Sequence, residues 1–108
     1  MISVTIATEG KNLSLRLEGH AEYAEVGKDI VCASASILAY TVAQFVMEAE
    51  HKGDLVSPPC IQLDIGDALV VCEPGEDAFY AVQNAYLFAK MGYAILAHNY
   101  PQNVRLMP

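Results

Sequence analysis

The sequence predicts an α+β fold in which two β-hairpins form an antiparallel or mixed sheet and two helices pack against it. Apolar and polar residues alternate in two pairs of short runs, as they do in half-buried strands. Each pair precedes a segment long enough for a helix, and in the second segment the apolar residues recur at spacings of three and four. The predicted order is therefore ββαββα, and residues 103–107 can add a short final strand.

The first hairpin is predicted from residues 2–7 and 13–18, which alternate on either side of a turn-forming segment at residues 9–12. The three leucines of the second strand share one face of the sheet. His20 continues the alternation on the opposite, polar side, so we expect its side chain to lie outside the core.

The first helix is predicted over residues 29–51, after an aperiodic surface loop at residues 21–28. Asp29 is a favourable N-cap residue, and Gly53 is placed to end the helix. Residues 30–47 carry no charge, so a membrane span has to be considered. The run is rich in alanine, contains hydroxyl side chains and has acidic residues at its ends, which favours a core helix buried on both faces.

The second hairpin is predicted from residues 61–65 and 68–72, with a turn at residues 66–67. A second amphipathic helix follows from Asp77. It ends before Pro101, because the residue ahead of a proline disfavours helical geometry.

Length and composition indicate one domain, residues 1–108, with enough apolar content, 54%, to form a core. Thirteen acidic and six basic side chains give a net charge of −7, which argues against a nucleic-acid-binding surface. The three cysteines have no zinc-binding or redox-motif spacing, and the start of the chain does not read as a signal peptide, so we expect a reducing, cytoplasmic location. Cys60 and Cys72 lie in strand-like runs and are expected to be packing residues.

Cys32 and His20 are the candidates for nucleophilic chemistry. With Asp29 as N-cap, Cys32 is the third helical residue, where free backbone N–H groups and the helix dipole favour a thiolate. A histidine close to such a cysteine can act as its general base. Taken alone, a free cysteine is more often a small buried packing residue, and a histidine at a strand end is more often a solvated one.

Asp29 and Ser36 are candidates for supporting roles. An N-cap aspartate accepts hydrogen bonds from first-turn N–H groups, but its carboxylate can also orient an imidazole. Ser36 lies one turn beyond Cys32 on the same helix face, where it can donate to the thiolate or to its own preceding carbonyl. Backbone N–H groups around the helix start are the candidates to hold an oxyanion.

Residues 18–38, EGHAEYAEVGKDIVCASASIL, resemble the signature of the ribosomal-processing cysteine protease family, known as Prp. The length and the element order fit that family across nearly the whole chain. The resemblance implies that His20 in the GHA motif and Cys32 in the GKDIVCA motif form the catalytic pair, with Asp29 and Ser36 matching the family's motif aspartate and serine. Between the cysteine and the serine the chain departs from the usual Cys-Ala-Ala-Val-Ser pattern at two positions, neither of them catalytic.

The resemblance further implies a cysteine endopeptidase that removes the N-terminal extension of a large-subunit ribosomal protein. It also implies a homodimer without cofactor, and the sequence offers no metal-ligand spacing; no direct contact with nucleic acid or a membrane is expected. Ribosomal proteins are basic, so Glu22 and Glu25 in the surface loop are expected to favour association with the substrate. Gly27 is placed to let this loop move over the site, although it equally suits an ordinary turn.

Two alternatives stay open at this point. The first is a non-catalytic ribosome-assembly or protein-binding module with a structural cysteine. The second is a thiol redox sensor, which the lack of a nearby resolving cysteine disfavours. Selective alkylation of Cys32 at mildly acidic pH would count against the binding module, and loss of activity on replacing His20 would separate a protease from a sensor.

Overall fold

The computed structural model describes residues 1–25 and 27–108, and its element order confirms the predicted α+β class. The strands are β1 (Ile2–Glu9), β2 (Asn12–Glu18), β3 (Cys60–Asp64), β4 (Asp67–Cys72) and β5 (Val104–Leu106). The helices are α1 (Ile30–His51) and α2 (Phe79–Asn99), and a 3₁₀ turn at Glu76–Ala78 leads into α2. Of the predicted loop at residues 21–28, Val26 lies outside the described residues.

The strands form one mixed sheet in the order β3-β4-β2-β1-β5. All neighbouring strands are antiparallel except β1 and β5, which run parallel. The final strand is therefore real, and it makes the sheet mixed rather than purely antiparallel.

The buried core lies on one face of the sheet, the face that packs on the helices. Val4 lies opposite Leu17 and Leu15 opposite Val70, and all four are buried in one core shared with both helices. The other face is more exposed and carries Leu69, Val71 and Arg16, whose guanidinium forms ion pairs with carboxylates of β2 and β4. In β1 and β2 the alternation of the sequence thus predicts correctly which face of each strand packs on the core.

Helix α1 packs against the sheet and α2 along one side only. Seven of its residues are buried, but Ile37, Tyr40 and Phe45 on the other side are exposed. The expectation of burial on both faces is therefore wrong within this chain. Among the described helices, α1 alone is long and apolar enough to cross a membrane, a test that a core helix also passes.

Close contacts fix α1 against α2 near the site. The phenolic hydroxyl of Tyr93 in α2, itself buried, donates to the carbonyl oxygen of Ala35 at 2.9 Å. Gly92 lies so close to Leu38 that a Cβ on the glycine would come within 2.8 Å of the leucine Cδ1. The first turns of α1 therefore have a fixed position relative to the core.

The turn between β3 and β4 lies one residue earlier than predicted. Ile65 and Gly66 form the turn, and β4 begins at Asp67. Gly66 has a φ of +79°, the conformation that a tight turn of type II requires at its second central residue. Ile65, expected to be a strand residue, is therefore at the tip and 86% exposed.

Candidate active site

The start of α1 holds Cys32 in the first helical turn. One carboxylate oxygen of Asp29 accepts hydrogen bonds from the backbone N–H groups of Val31 at 3.0 Å and Cys32 at 2.9 Å. This is the side-chain cap that the residue type favours. Cys32 is half-buried, and its side chain contributes to the walls of two adjoining cavities.

The second carboxylate oxygen of Asp29 fastens the preceding loop to the same helix start. It accepts from the backbone N–H groups of Tyr23 at 3.0 Å and Ala24 at 3.2 Å. Burial alone would raise the pKa of Asp29, but these four backbone hydrogen bonds outweigh it and hold the pKa below its ordinary value. Both oxygens are thus engaged by the backbone, and no hydrogen bond to His20 is present in the described part of the chain.

The capping hydrogen bonds occupy the backbone N–H groups that were candidates for binding an oxyanion. The N–H groups of Val31 and Cys32 donate to the Asp29 side chain, and the N–H of Ala33 donates to the Asp29 carbonyl at 3.0 Å. The expectation that backbone donors at the helix start hold an oxyanion is therefore wrong for these three groups, because the cap already uses them.

His20 lies just beyond β2 and is exposed, as the strand alternation predicts. The residues on either side of it are anchored: the N–H of Gly19 donates to the carbonyl of Gly66 at 2.9 Å, and the carbonyl of Ala21 accepts from the Asn103 side chain at 2.9 Å. The imidazole lies against the β3–β4 turn, so close to Gly66 that a Cβ built on the glycine would come within 2.7 Å of Nε2. Two distant segments thus position the histidine.

A cavity of about 460 Å³ opens where the loop, the start of α1 and the β3–β4 turn meet. His20, Cys32 and Ser36 all line it. A smaller and mainly apolar cavity of about 80 Å³ adjoins it, shares Cys32, Ser36 and Ile65, and extends to Tyr40. The thiol and the imidazole therefore share a space open to solvent, with a narrower apolar recess beside the sulfur.

The loop residues named from the sequence divide into two groups. Glu22 and Gly27 line the larger cavity, whereas Glu25 is exposed and lies outside the wall of that cavity. Glu22 adopts a φ of +56°, unusual for a residue with a side chain. Lys28, which the sequence does not mark as a site residue, lines the cavity as well and adds a positive charge to the loop.

The other two cysteines differ from each other. Cys72 is buried, and its sulfur lies 3.5 Å from the hydroxyl of Tyr86, so it is the packing residue that the sequence predicts. Burial raises the pKa of both the Cys72 thiol and the Tyr86 hydroxyl. Cys60 on edge strand β3 is exposed, so the prediction that it packs in the core is wrong.

No group of three or more potential metal ligands occurs within residues 1–25 and 27–108. Two reactive side chains line the larger cavity, a thiol and an imidazole at one solvent-accessible surface. This pair is the minimal arrangement for nucleophilic attack by sulfur with a general base.

Sequence reasoning missed Gly66, Ile65 and Asn103, although each shapes the site. A turn was expected near Gly66, but nothing in the order of residues indicates that it meets His20, which lies in a different hairpin. Asn103 comes from the segment just before β5 and is even farther along the chain. Only the assembled sheet shows these contacts.

A family model described as cysteine protease Prp matches residues 1–105. Proteins of two Staphylococcus aureus strains, described as ribosomal processing cysteine protease Prp, are 41% identical to this chain over 39 residues. That aligned segment spans 36% of this chain and 37% of the length of these relatives.

Solved structures share the fold over almost the whole chain. A Staphylococcus aureus ribosomal processing protease Prp with a covalently linked product peptide has a TM-score of 0.73 at 23% identity, covering 98% of this chain and 97% of that one. The same protein with a substrate peptide gives 0.68 at 22% identity and coverages of 99% and 98%. SMU.848 from Streptococcus mutans gives 0.68 at 26% identity and coverages of 98% and 91%.

Proposed function

The chain belongs to the cysteine protease Prp family, and on this premise we propose that it hydrolyses peptide bonds with Cys32 as nucleophile and His20 as general base. The observation that carries the proposal is the cavity of about 460 Å³ that both side chains line. Cys32 is half-buried rather than enclosed in the core, so its sulfur can meet a substrate. This exposure weighs against the alternative of a binding module with a structural cysteine.

The reaction proceeds through a thioester. His20 accepts the proton of the Cys32 thiol, and the sulfur attacks the scissile carbonyl carbon. The protonated imidazole then donates that proton to the leaving amine as the C–N bond breaks. Water, deprotonated by His20, attacks the thioester, releases the new carboxylate and restores the thiol.

Asp29 and Ser36 support the nucleophile in this proposal. Asp29 fixes the helix start and the loop together through its four backbone bonds, and therefore sets where the sulfur lies. Ser36, half-buried one turn deeper, lines the same cavities as Cys32 and is placed to donate a hydrogen bond towards the thiolate.

The proposed substrate is the N-terminal extension of a large-subunit ribosomal protein, and the proposed location is the cytoplasm, where thiols stay reduced. The relatives are described as ribosomal processing proteases, which supports this substrate class. A basic ribosomal protein also suits the net charge of −7 and the Glu22 carboxylate in the cavity wall. Raising the ionic strength should therefore slow cleavage at low substrate concentration, and an unchanged rate would remove the steering argument.

The proposed assembly is a homodimer built on the outer faces of α1 and α2. These faces expose large apolar side chains, and a groove of about 510 Å³ between Phe45 and Phe88 runs along them. Sedimentation velocity should give a dimer for the parent and a monomer for Phe88→Asp. Val56→Asp, another exposed apolar position outside the helices, is the control and should remain dimeric; a monomeric parent would contradict the proposal.

The direct experiment incubates the protein with a peptide that carries the N-terminal extension of the same organism's ribosomal protein, followed by mass spectrometry. The parent should cut one bond, and Cys32→Ala and His20→Ala should each lose the activity. Cys60→Ala is the control, since Cys60 is an exposed cysteine outside both cavities. Cleavage that survives Cys32→Ala would refute the assignment.

A further inference from the structure

We propose that Gly66, in the turn between β3 and β4, is a positioning residue for the His20 imidazole. The inference rests on the proposed function, because it concerns how the general base reaches its place. Gly66 itself makes no contact with a substrate in this proposal. Its role is to leave room for the imidazole ring while its carbonyl anchors the histidine's backbone.

The backbone contact comes from the carbonyl oxygen of Gly66. It accepts the N–H of Gly19 at 2.9 Å, so the residue next to His20 is fastened to the turn. Gly19 also lies directly against Met1, since it has a φ of +97° and a Cβ added there would overlap the carbonyl oxygen of Met1. The path of the chain into His20 is therefore narrowly defined by the turn.

The ring contact comes from the side-chain face of Gly66. A Cβ built on this residue would lie 2.7 Å from Nε2 and 2.8 Å from Cε1 of His20. These separations are far inside van der Waals contact, so any side chain at position 66 forces something to move. Only glycine allows the imidazole to lie where it does.

When a side chain is introduced at position 66, the His20 imidazole is expected to move and the β3–β4 turn to stay in place. The turn is closed by the ladder pair between Asp64 and Asp67 and by the bond to Gly19, whereas the imidazole is the free end of an exposed side chain. A side chain at position 66 should therefore cost little stability beyond the strain of its positive φ. The cost should appear in catalysis, where a misplaced base is expensive.

Gly53 provides a matched control for that strain. Its φ is +80°, against +79° at Gly66, and a Cβ at Gly53 would meet no atom within 4 Å. Alanine at either position pays the same backbone penalty, but only alanine at Gly66 meets the histidine. The difference between the two variants therefore combines the imidazole contact with any filling of the smaller cavity, which Gly66 also lines, and the pH profile of Cys32 alkylation separates the two.

The experiment compares Gly66→Ala with Gly53→Ala in three measurements. Both variants should unfold within about 4 °C of each other. Gly66→Ala should cleave the peptide at least about tenfold more slowly than Gly53→Ala, mainly through kcat. Its pH profile of Cys32 alkylation should move towards that of His20→Ala, which a purely structural defect would not produce.

A fourth measurement, on the parent protein, needs no activity. An NMR cross-peak between the His20 Cε1 proton and the Gly66 α-protons is expected, and its absence would overturn the proposal. Equal rates and superimposable pH profiles for the two alanine variants would overturn it as well, as would selective unfolding of Gly66→Ala. If His20→Ala instead cleaves normally, the assignment of the base is what fails.

Discussion

The two sides of the candidate active site are held by different kinds of contact. Cys32 is placed by residues close to it in sequence, since Asp29 and the loop that Asp29 binds lie within ten positions of it. His20 is placed by Gly66 and Asn103, and the latter contacts a residue 82 positions away. The helix cap beside the nucleophile is thus a local property of one helix start, although Tyr93 also holds α1 from a distance, whereas the contacts around the histidine require the assembled sheet.

The largest effect is expected from removing the Asp29 carboxylate, which holds the start of α1 and the preceding loop. In Asp29→Ala four backbone N–H groups lose their acceptor, so the free energy of unfolding should fall by about 2 kcal/mol. Alkylation of Cys32 should slow at the same time, because the first turn of α1 frays. Urea unfolding and iodoacetamide kinetics measure both effects, with Asp77→Ala as control, an exposed carboxylate in the 3₁₀ turn. Equal losses in the two variants would contradict the local account.

Protonation of Asp29 at acidic pH should weaken the same hydrogen bonds, with a smaller effect than removal of the carboxylate. The folded-state pKa of Asp29 is lower than its ordinary value, so its stabilisation is present at neutral pH and is lost as the pH falls through the ordinary value to the lowered one. The stability advantage of the parent over Asp29→Asn should therefore shrink as the pH falls below about 5. Unfolding curves between neutral and acidic pH test this, and a constant gap would mean that the carboxylate charge is immaterial.

The contacts that hold the segment around His20 can be weakened at Asn103. Asn103→Ala removes the donor to the Ala21 carbonyl, which should lower the free energy of unfolding by about 1 kcal/mol. Because Ala21 follows His20 directly, peptide cleavage should fall severalfold while alkylation of Cys32 by a neutral reagent changes less. Gln102→Ala, an exposed neighbour, is the control. If both variants cleave at the parental rate, Asn103 does not brace the histidine.

The smallest effect is expected at Arg16, which also links distant strands. Its guanidinium lies 2.7 Å from the Glu18 carboxylate and 3.2 Å from that of Asp67, on the open face of the sheet. Exposed ion pairs contribute little, so Arg16→Gln should change the free energy of unfolding by less than about 1 kcal/mol and leave cleavage unchanged. A larger loss in thermal unfolding would show that distant contacts matter for strength even without burial.

The same contrast explains what the sequence could predict. Alternation gave the strands of both hairpins, and the residue type at position 29 gave the cap and the depth of Cys32 in the helix, because each depends on neighbours in sequence. The register of the second turn was misplaced by one residue, since both Gly66 and Asp67 suit turns. The contacts of His20 with Gly66 and of Ala21 with Asn103 could not be predicted, because they follow from the sheet order.

The sequence also predicts burial for some side chains that are exposed in the structure. Cys60 lies in an apolar, alternating run, but in the edge strand β3 it pairs with Val71, on the face of the sheet opposite the core. In the same way, the outer side of α1 carries apolar residues that nothing within this chain covers. Hydrophobicity predicts that a surface is to be buried and does not say by which molecule.

The parallel pairing of β5 with β1 bears on the order in which a ribosome delivers the chain. Synthesis proceeds from the N-terminus, so Cys32 and its helix cap emerge well before Asn103 and β5. Until those later residues arrive, Ala21 has no amide to hold its carbonyl, and the edge of β1 stays unpaired. Both halves of the site therefore wait for late residues, since Ala35 in α1 is held by Tyr93 of α2 and Ala21 by Asn103, and the mature geometry requires translation to have passed β5.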